Sequence, residues 1–197
     1  MIDDSDSVPH PADRSRYDLM RAKHVTIPLS IPRKIRWCGY LALLSALVGP
    51  IVATLPPPVR EAYFVGNPTA APLGAATIVL LGVAAVAVAV AGLTALAVSV
   101  GPGSDPSEDR VWLLIGAEDA FAGVGFITGA LGIIAGGLIL ASGYWGVEAV
   151  DGLVESGVDP YLTLNTVSAT PRLVTGSGLF VAAVALASSV LVERRRP

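Results

Sequence analysis

The sequence predicts an all-α integral membrane protein, a four-transmembrane-helix bundle with both termini in the cytoplasm. Three observations carry that prediction. Apolar residues make up 53% of the 197 and charged residues only 15%, whereas a soluble domain carries about 25% charged residues. No charge interrupts the 43 positions between Glu61 and Asp105, nor the 28 between Asp119 and Glu148, and apolar runs of 18 or more residues read as membrane spans. The basic residues then divide unequally between the two sides those spans create. A soluble enzyme, a nucleic-acid-binding domain and a disordered chain are excluded at this level.

Residues 1–34 read as a polar cytoplasmic tail. Positions 1–20 hold five Asp and no apolar periodicity, a disorder signature. Over residues 24–32, Val25, Ile27, Leu29 and Ile31 alternate with Thr26, Pro28, Ser30 and Pro32. Alternation suggests a strand, and the two prolines restrict it to an extended surface segment. Arg33, Lys34 and Arg36 follow as a basic collar.

The transmembrane domain, residues 35–197, contains four spans at about 35–55, 73–100, 120–143 and 173–192. Each is long enough, because ~20 residues rising 1.5 Å apiece cross a ~30 Å hydrocarbon core. The first span's basic flank and length make it a retained anchor, not a cleaved signal peptide. Pro50 should kink it and free a carbonyl near Ala46. Arg14, Arg16, Arg21, Lys23, Arg33, Lys34, Arg36, Arg110, Arg194, Arg195 and Arg196 fall on one side, against Arg60 and Arg172 on the other. Eleven against two places both termini on the cytoplasmic side of a plasma membrane. The preference for Arg over Lys, 11 to 2, suits a prokaryote of high GC content or salt adaptation.

Small residues recur at 3–4 spacing on every span, which lets helix backbones approach in a bilayer. The third span is the strongest case, with Gly125, Gly129, Gly132 and Gly136. This seam serves either packing within one bundle or contact with a second copy or partner membrane subunit.

Candidates for chemistry are few. His10 and His24 lie in the tail and Cys38 is the lone cysteine, so no ligand spacing for zinc, haem or an iron–sulfur cluster exists. No metal, no cofactor, no nucleic acid and no catalytic residues are expected. Glu118 and Asp119 stand out as an acidic pair in an apolar stretch. Intramembrane carboxylates are costly and often mark proton or cation paths. A helix from residue 106 to 143 would be about 57 Å long at 1.5 Å per residue, so the pair is expected at the inner interface. Glu118 lies on the small-residue seam, as a partnered carboxylate meeting the collar of Arg33, Lys34 and Arg36. The segment ahead of it, Val111 to Ile115, needs an apolar cover, and residues 25–31 can supply one. Across the membrane, Val147, Val150, Val154 and Val158 suggest a short amphipathic helix. Tyr40, Tyr63, Tyr144 and Trp145 read as interfacial anchors.

The function expected from this is a non-enzymatic accessory or structural subunit of a membrane complex. The alternative is a small oligomeric transporter or channel protomer using Glu118 and Asp119.

Overall fold

A computed structural model describes residues 16–100, 107–163 and 169–194. Nine α-helices are present among them: α1 (Arg16–His24), α2 (Ile31–Ser45), α3 (Val48–Ala53), α4 (Pro57–Tyr63), α5 (Gly74–Ser99), α6 (Glu108–Gly123), α7 (Ala130–Ala141), α8 (Val147–Glu155) and α9 (Pro171–Arg194). No strand occurs among the described residues; Leu73 and Thr163 form an isolated antiparallel bridge. Four helical stretches are long and apolar enough to cross a membrane: Ile31–Ala53, Gly74–Ser99, Glu108–Trp145 and Pro171–Arg194. After four crossings the first and last spans meet at one end, where Arg36 Nη2 lies 2.7 Å from Glu193 Oε2. We call this the terminal end.

Two expectations for the tail are corrected. The disordered reading of residues 1–20 fails over residues 16–20, which belong to the helix Arg16–His24, while residues 1–15 lie outside the described residues. The extended segment at 24–32 is also shorter than expected, because α2 already begins at Ile31. Pro32 explains the error: it occupies the first turn of α2, where a missing N–H costs nothing because that donor has no helical partner. The same proline reads as a strand-edge signal when only the alternation is considered.

In the first span the ladder breaks between α2 and α3, just ahead of Pro50. Thr175 of α9 repairs the break from outside: its hydroxyl donates to Ala46 O at 3.2 Å and accepts from Gly49 N–H at 2.9 Å. Buried positions follow Cys38, Ala42 and Ser45, then continue along Val48 and Val52. Ala53, at the end of α3, is exposed.

The second span, α5, is the axis of the bundle. It packs against α2, α7 and α9 and buries Val79, Gly82, Val86, Ala89 and Leu93 along one line, with Ala76, Val83 and Val90 beside it. The Val–Ala alternation at 86–90 is helical.

The third span is one long helical stretch, α6 to α7, joined by a π-helical turn over Val124–Gly129. Its start differs slightly from expectation: the helix begins at Glu108 after Ser107, while Asp105 and Pro106 lie outside the described residues. The wider turn spaces the buried residues by four, through Gly125, Gly129 and Ile133. Ile133, not Gly132, is therefore the buried residue there.

α9 completes the bundle by burying Gly178, Ala182, Ala185 and Ser189, largely against α2. A Cβ at Gly178 would lie 2.8 Å from Ala42 O.

Candidate functional site

Helix geometry determines how the two carboxylates differ. Glu118 lies on the face of α6 that also buries Val111, Leu114, Ile115 and Ala122, whereas Asp119 is turned about 100° away and is only half-buried. Glu118 is completely buried, and so is Lys34 on α2. Lys34 Nζ donates to Glu118 Oε1 at 2.6 Å. Arg21 of α1 reaches the same carboxylate side-on, its Nε donating to Oε2 at 2.8 Å and its Nη2 to Oε1 at 2.6 Å. The same Nη2 donates to Leu29 O at 2.6 Å, which fastens the turn after α1. Bidentate Arg–carboxylate pairs of this kind are short and charge-assisted.

Asp119 makes a different contact. It accepts from the Thr26 backbone N–H at 3.2 Å and from the Thr26 hydroxyl at 2.9 Å. Next to it, the rings of His24 and Trp112 lie 4.7 Å apart. Beneath these polar ties, Met20 and Val25 cover Val111, Leu114 and Ile115, joined by Leu96 of α5 and by Val100 just after it. The apolar cover expected over this stretch of α6 is therefore supplied by Val25, and also by Met20 on α1.

Of the expected basic collar, only Lys34 meets Glu118. Arg33 is exposed, and Arg36 pairs with Glu193 of α9. Sequence reasoning missed Arg21, because nothing in composition separates it from Arg14 or Arg16. Only the helical register of α1 aims it at α6.

The glycine seam is occupied within the chain. A Cβ at Gly125 would meet Ala89 at 2.8 Å and Cys38 Sγ at 3.0 Å. One at Gly129 would meet Val86 at 2.6 Å, one at Gly132 the Gly82 Cα at 3.0 Å, and one at Gly136 Val79 at 2.6 Å. All four glycines thus face α5, or for Gly125 also α2, of the same molecule. These four positions are taken up by packing within the chain. Cys38 is buried in this packing.

At the opposite end, α8 is amphipathic and ends at Glu155, ahead of Val158. Val147 and Val150 pack inward, while Val154 and Val158 are exposed. Gly157, at φ +91°, stops the helix: Val158 N–H donates to Leu153 O and Gly157 N–H to Val154 O. This is a Schellman cap, which needs a residue tolerant of the left-handed region. Tyr63 donates to the Asp151 carboxylate, and that bond, aided by burial, pushes its hydroxyl pKa up to about 12. Tyr161 is likewise pushed up to about 12 by burial, and its hydroxyl donates to Leu140 O at 3.0 Å.

No group of three or more His, Cys, Asp or Glu side chains able to hold a metal ion occurs among the described residues. Comparison with protein-family models, with curated proteins and with solved structures finds no match to the chain.

Proposed function

We propose that the chain is a non-enzymatic integral protein of the plasma membrane, an accessory or structural subunit of a membrane complex, with both termini in the cytoplasm. One observation carries the reading: both oxygens of the acid embedded in the third span are taken by Arg21 and Lys34. A carboxylate clamped by two cations ties segments together. An acid that carries protons or cations has to be freed of its partners, and Lys34, buried on the first span, stays on this one. The small-residue seams support the same reading, since they are spent on internal packing and leave a compact bundle. Orientation rests on the eleven-to-two division of basic residues. A contact through the third helix then uses its outer face, where Ile127, Leu131, Ile134 and Leu138 are exposed.

The rival reading is a small oligomeric transporter or channel protomer with Glu118 and Asp119 on its path. It draws on the burial of Glu118 within a span, a place where ionisable groups are usually functional.

Extraction in native-like lipid, followed by crosslinking and mass measurement, separates the two. A different membrane protein that co-purifies in fixed ratio supports the subunit reading. A defined homo-oligomer whose vesicle flux is abolished by Glu118→Gln supports transport and overturns it. Orientation is read by placing a cysteine at Ser156 and labelling intact cells with an impermeant thiol reagent. Labelling is expected, and its absence there together with labelling at a cysteine replacing Asp109 reverses the topology.

A further inference from the structure

α1 and the turn that follows it, residues 16–30, lie as a strap across α6, and their attachment differs in kind from that of the spans. α1 has nine residues, too few to stay helical without tertiary support. Its apolar contacts form a small cluster around Val111, Leu114 and Ile115, separate from the main core. The bonds from Thr26 to Asp119 are exposed, so water replaces them at little cost. What remains is the clamp of Arg21 on Glu118.

The clamp draws on two parts of the fold: Arg21 of α1 and Lys34 of α2 both pair with the one carboxylate. Lys34 belongs to a membrane span and is fully buried, whereas the Arg21 side chain is 18% exposed. Withdrawing Arg21 therefore leaves Lys34 and Glu118 as a neutral pair 2.6 Å apart. Breaking a buried ion pair is costly because it strands a charge. Here Lys34 stays on Glu118, so the acid keeps a cation, and Arg21 regains water.

We infer that residues 16–30 form a releasable strap, with the bundle stable in both states because Lys34 keeps Glu118 paired in each. The docked state covers Val111, Leu114 and Ile115. The released state opens that strip beside Trp112 and Leu113, which are already exposed. Lys34 is thus the permanent partner of Glu118 and Arg21 the conditional one. This holds whether or not the chain serves as a subunit.

The test is hydrogen exchange by mass spectrometry on the full chain in lipid nanodiscs. In the wild type, amides of residues 19–26 are expected to be protected but to exchange well ahead of those at 76–93, as a separate local unit. Arg21→Gln should lower strap protection by roughly 10- to 100-fold, the range for losing a hydrogen bond to a charged group, while protection at 76–93 stays unchanged. Three outcomes overturn the proposal: wild-type strap amides as protected as the spans, wild-type strap amides with no protection, or Arg21→Gln loosening the spans along with the strap. A control with Arg33→Gln, at an exposed position, should leave both regions as in the wild type.

Discussion

The two ends of the bundle are held by different chemistry. At the terminal end the ties are ionic: Arg21 and Lys34 on Glu118, and Arg36 on Glu193. At the opposite end they are neutral or singly charged: Tyr63 to Asp151, Tyr161 to Leu140 O, Tyr144 to Ile51 O at 3.1 Å and Arg172 to Thr69 at 2.9 Å. Backbone bonds add to that end, where Leu73 N–H and Gly74 N–H at the start of α5 donate to Ala169 O and Leu162 O. The difference follows from where the charges fall in the sequence. Eleven of the thirteen basic residues belong to one side, so a buried acid there finds cations within reach. The opposite side has more acids than bases, and its tyrosines serve as the donors. An ionic end can be cut at one residue, while an end held by many weaker bonds yields gradually.

The largest effect should come from cutting the ionic end at its centre. Glu118→Ala leaves Lys34 buried without its counter-charge, and we expect a loss of about 3–5 kcal/mol, read as thermal unfolding in detergent. Arg21→Gln keeps the Lys34–Glu118 pair and should cost the bundle far less. Equal losses in the two variants would mean that both cations are integral to the core.

Overpacking the seam between the ends comes next. A Cβ at Gly82 would sit 2.8 Å from Ile133 N and 2.9 Å from Gly129 O, backbone atoms that cannot step aside. Gly82→Ala should therefore destabilise by about 1–3 kcal/mol. Gly137→Ala, where a Cβ meets nothing within 4 Å, should be neutral or slightly stabilising, since it removes the helix penalty of glycine. The loss at Gly82 should not depend on protein concentration, because the seam closes within one molecule.

Thr175→Val is expected to cost about 1–3 kcal/mol, leaving the Ala46 carbonyl and the Gly49 N–H without their partner. Far-ultraviolet circular dichroism should show the first span still helical, as Pro50 already sets the break.

The smallest effect belongs to the opposite end and to alkaline pH. Tyr63 and Tyr161 both have hydroxyl pKa values raised from 10 to about 12 in the folded chain. A raised pKa contributes stability that is fully present below the unfolded value of 10 and lost as pH rises through the folded value of about 12. Thermal stability should fall over that window, less so in Tyr63→Phe.

These contrasts also show what could be read from residues alone. The spans were legible because a bilayer imposes length and apolarity on each segment separately. The kink at Pro50 was legible because a missing N–H acts locally. Its repair by Thr175 was not, since residues 46 and 175 meet only when α9 lies beside the first span. Glu118 was recognisable as a partnered acid from its place on the seam. Its partners were legible only in part: the collar contained Lys34, but Arg21 went unseen, because Arg21, Arg33, Lys34 and Arg36 are alike in composition and differ only in where their helices point them. The tail misled for the same reason: Pro28 and Pro32 look equivalent in an alternating pattern, yet one lies in a turn and the other opens a helix.

By itself, then, the amino-acid sequence determined the class, the number of spans and the sides to which its charges divide, because hydrophobic length and charge are properties of segments. Tertiary structure decided which cation holds Glu118, that the third-span glycines are closed off by α5, and that α1 is a strap lying outside the main core. Those outcomes depend on helices meeting in space at a given register, and no single segment carries that information.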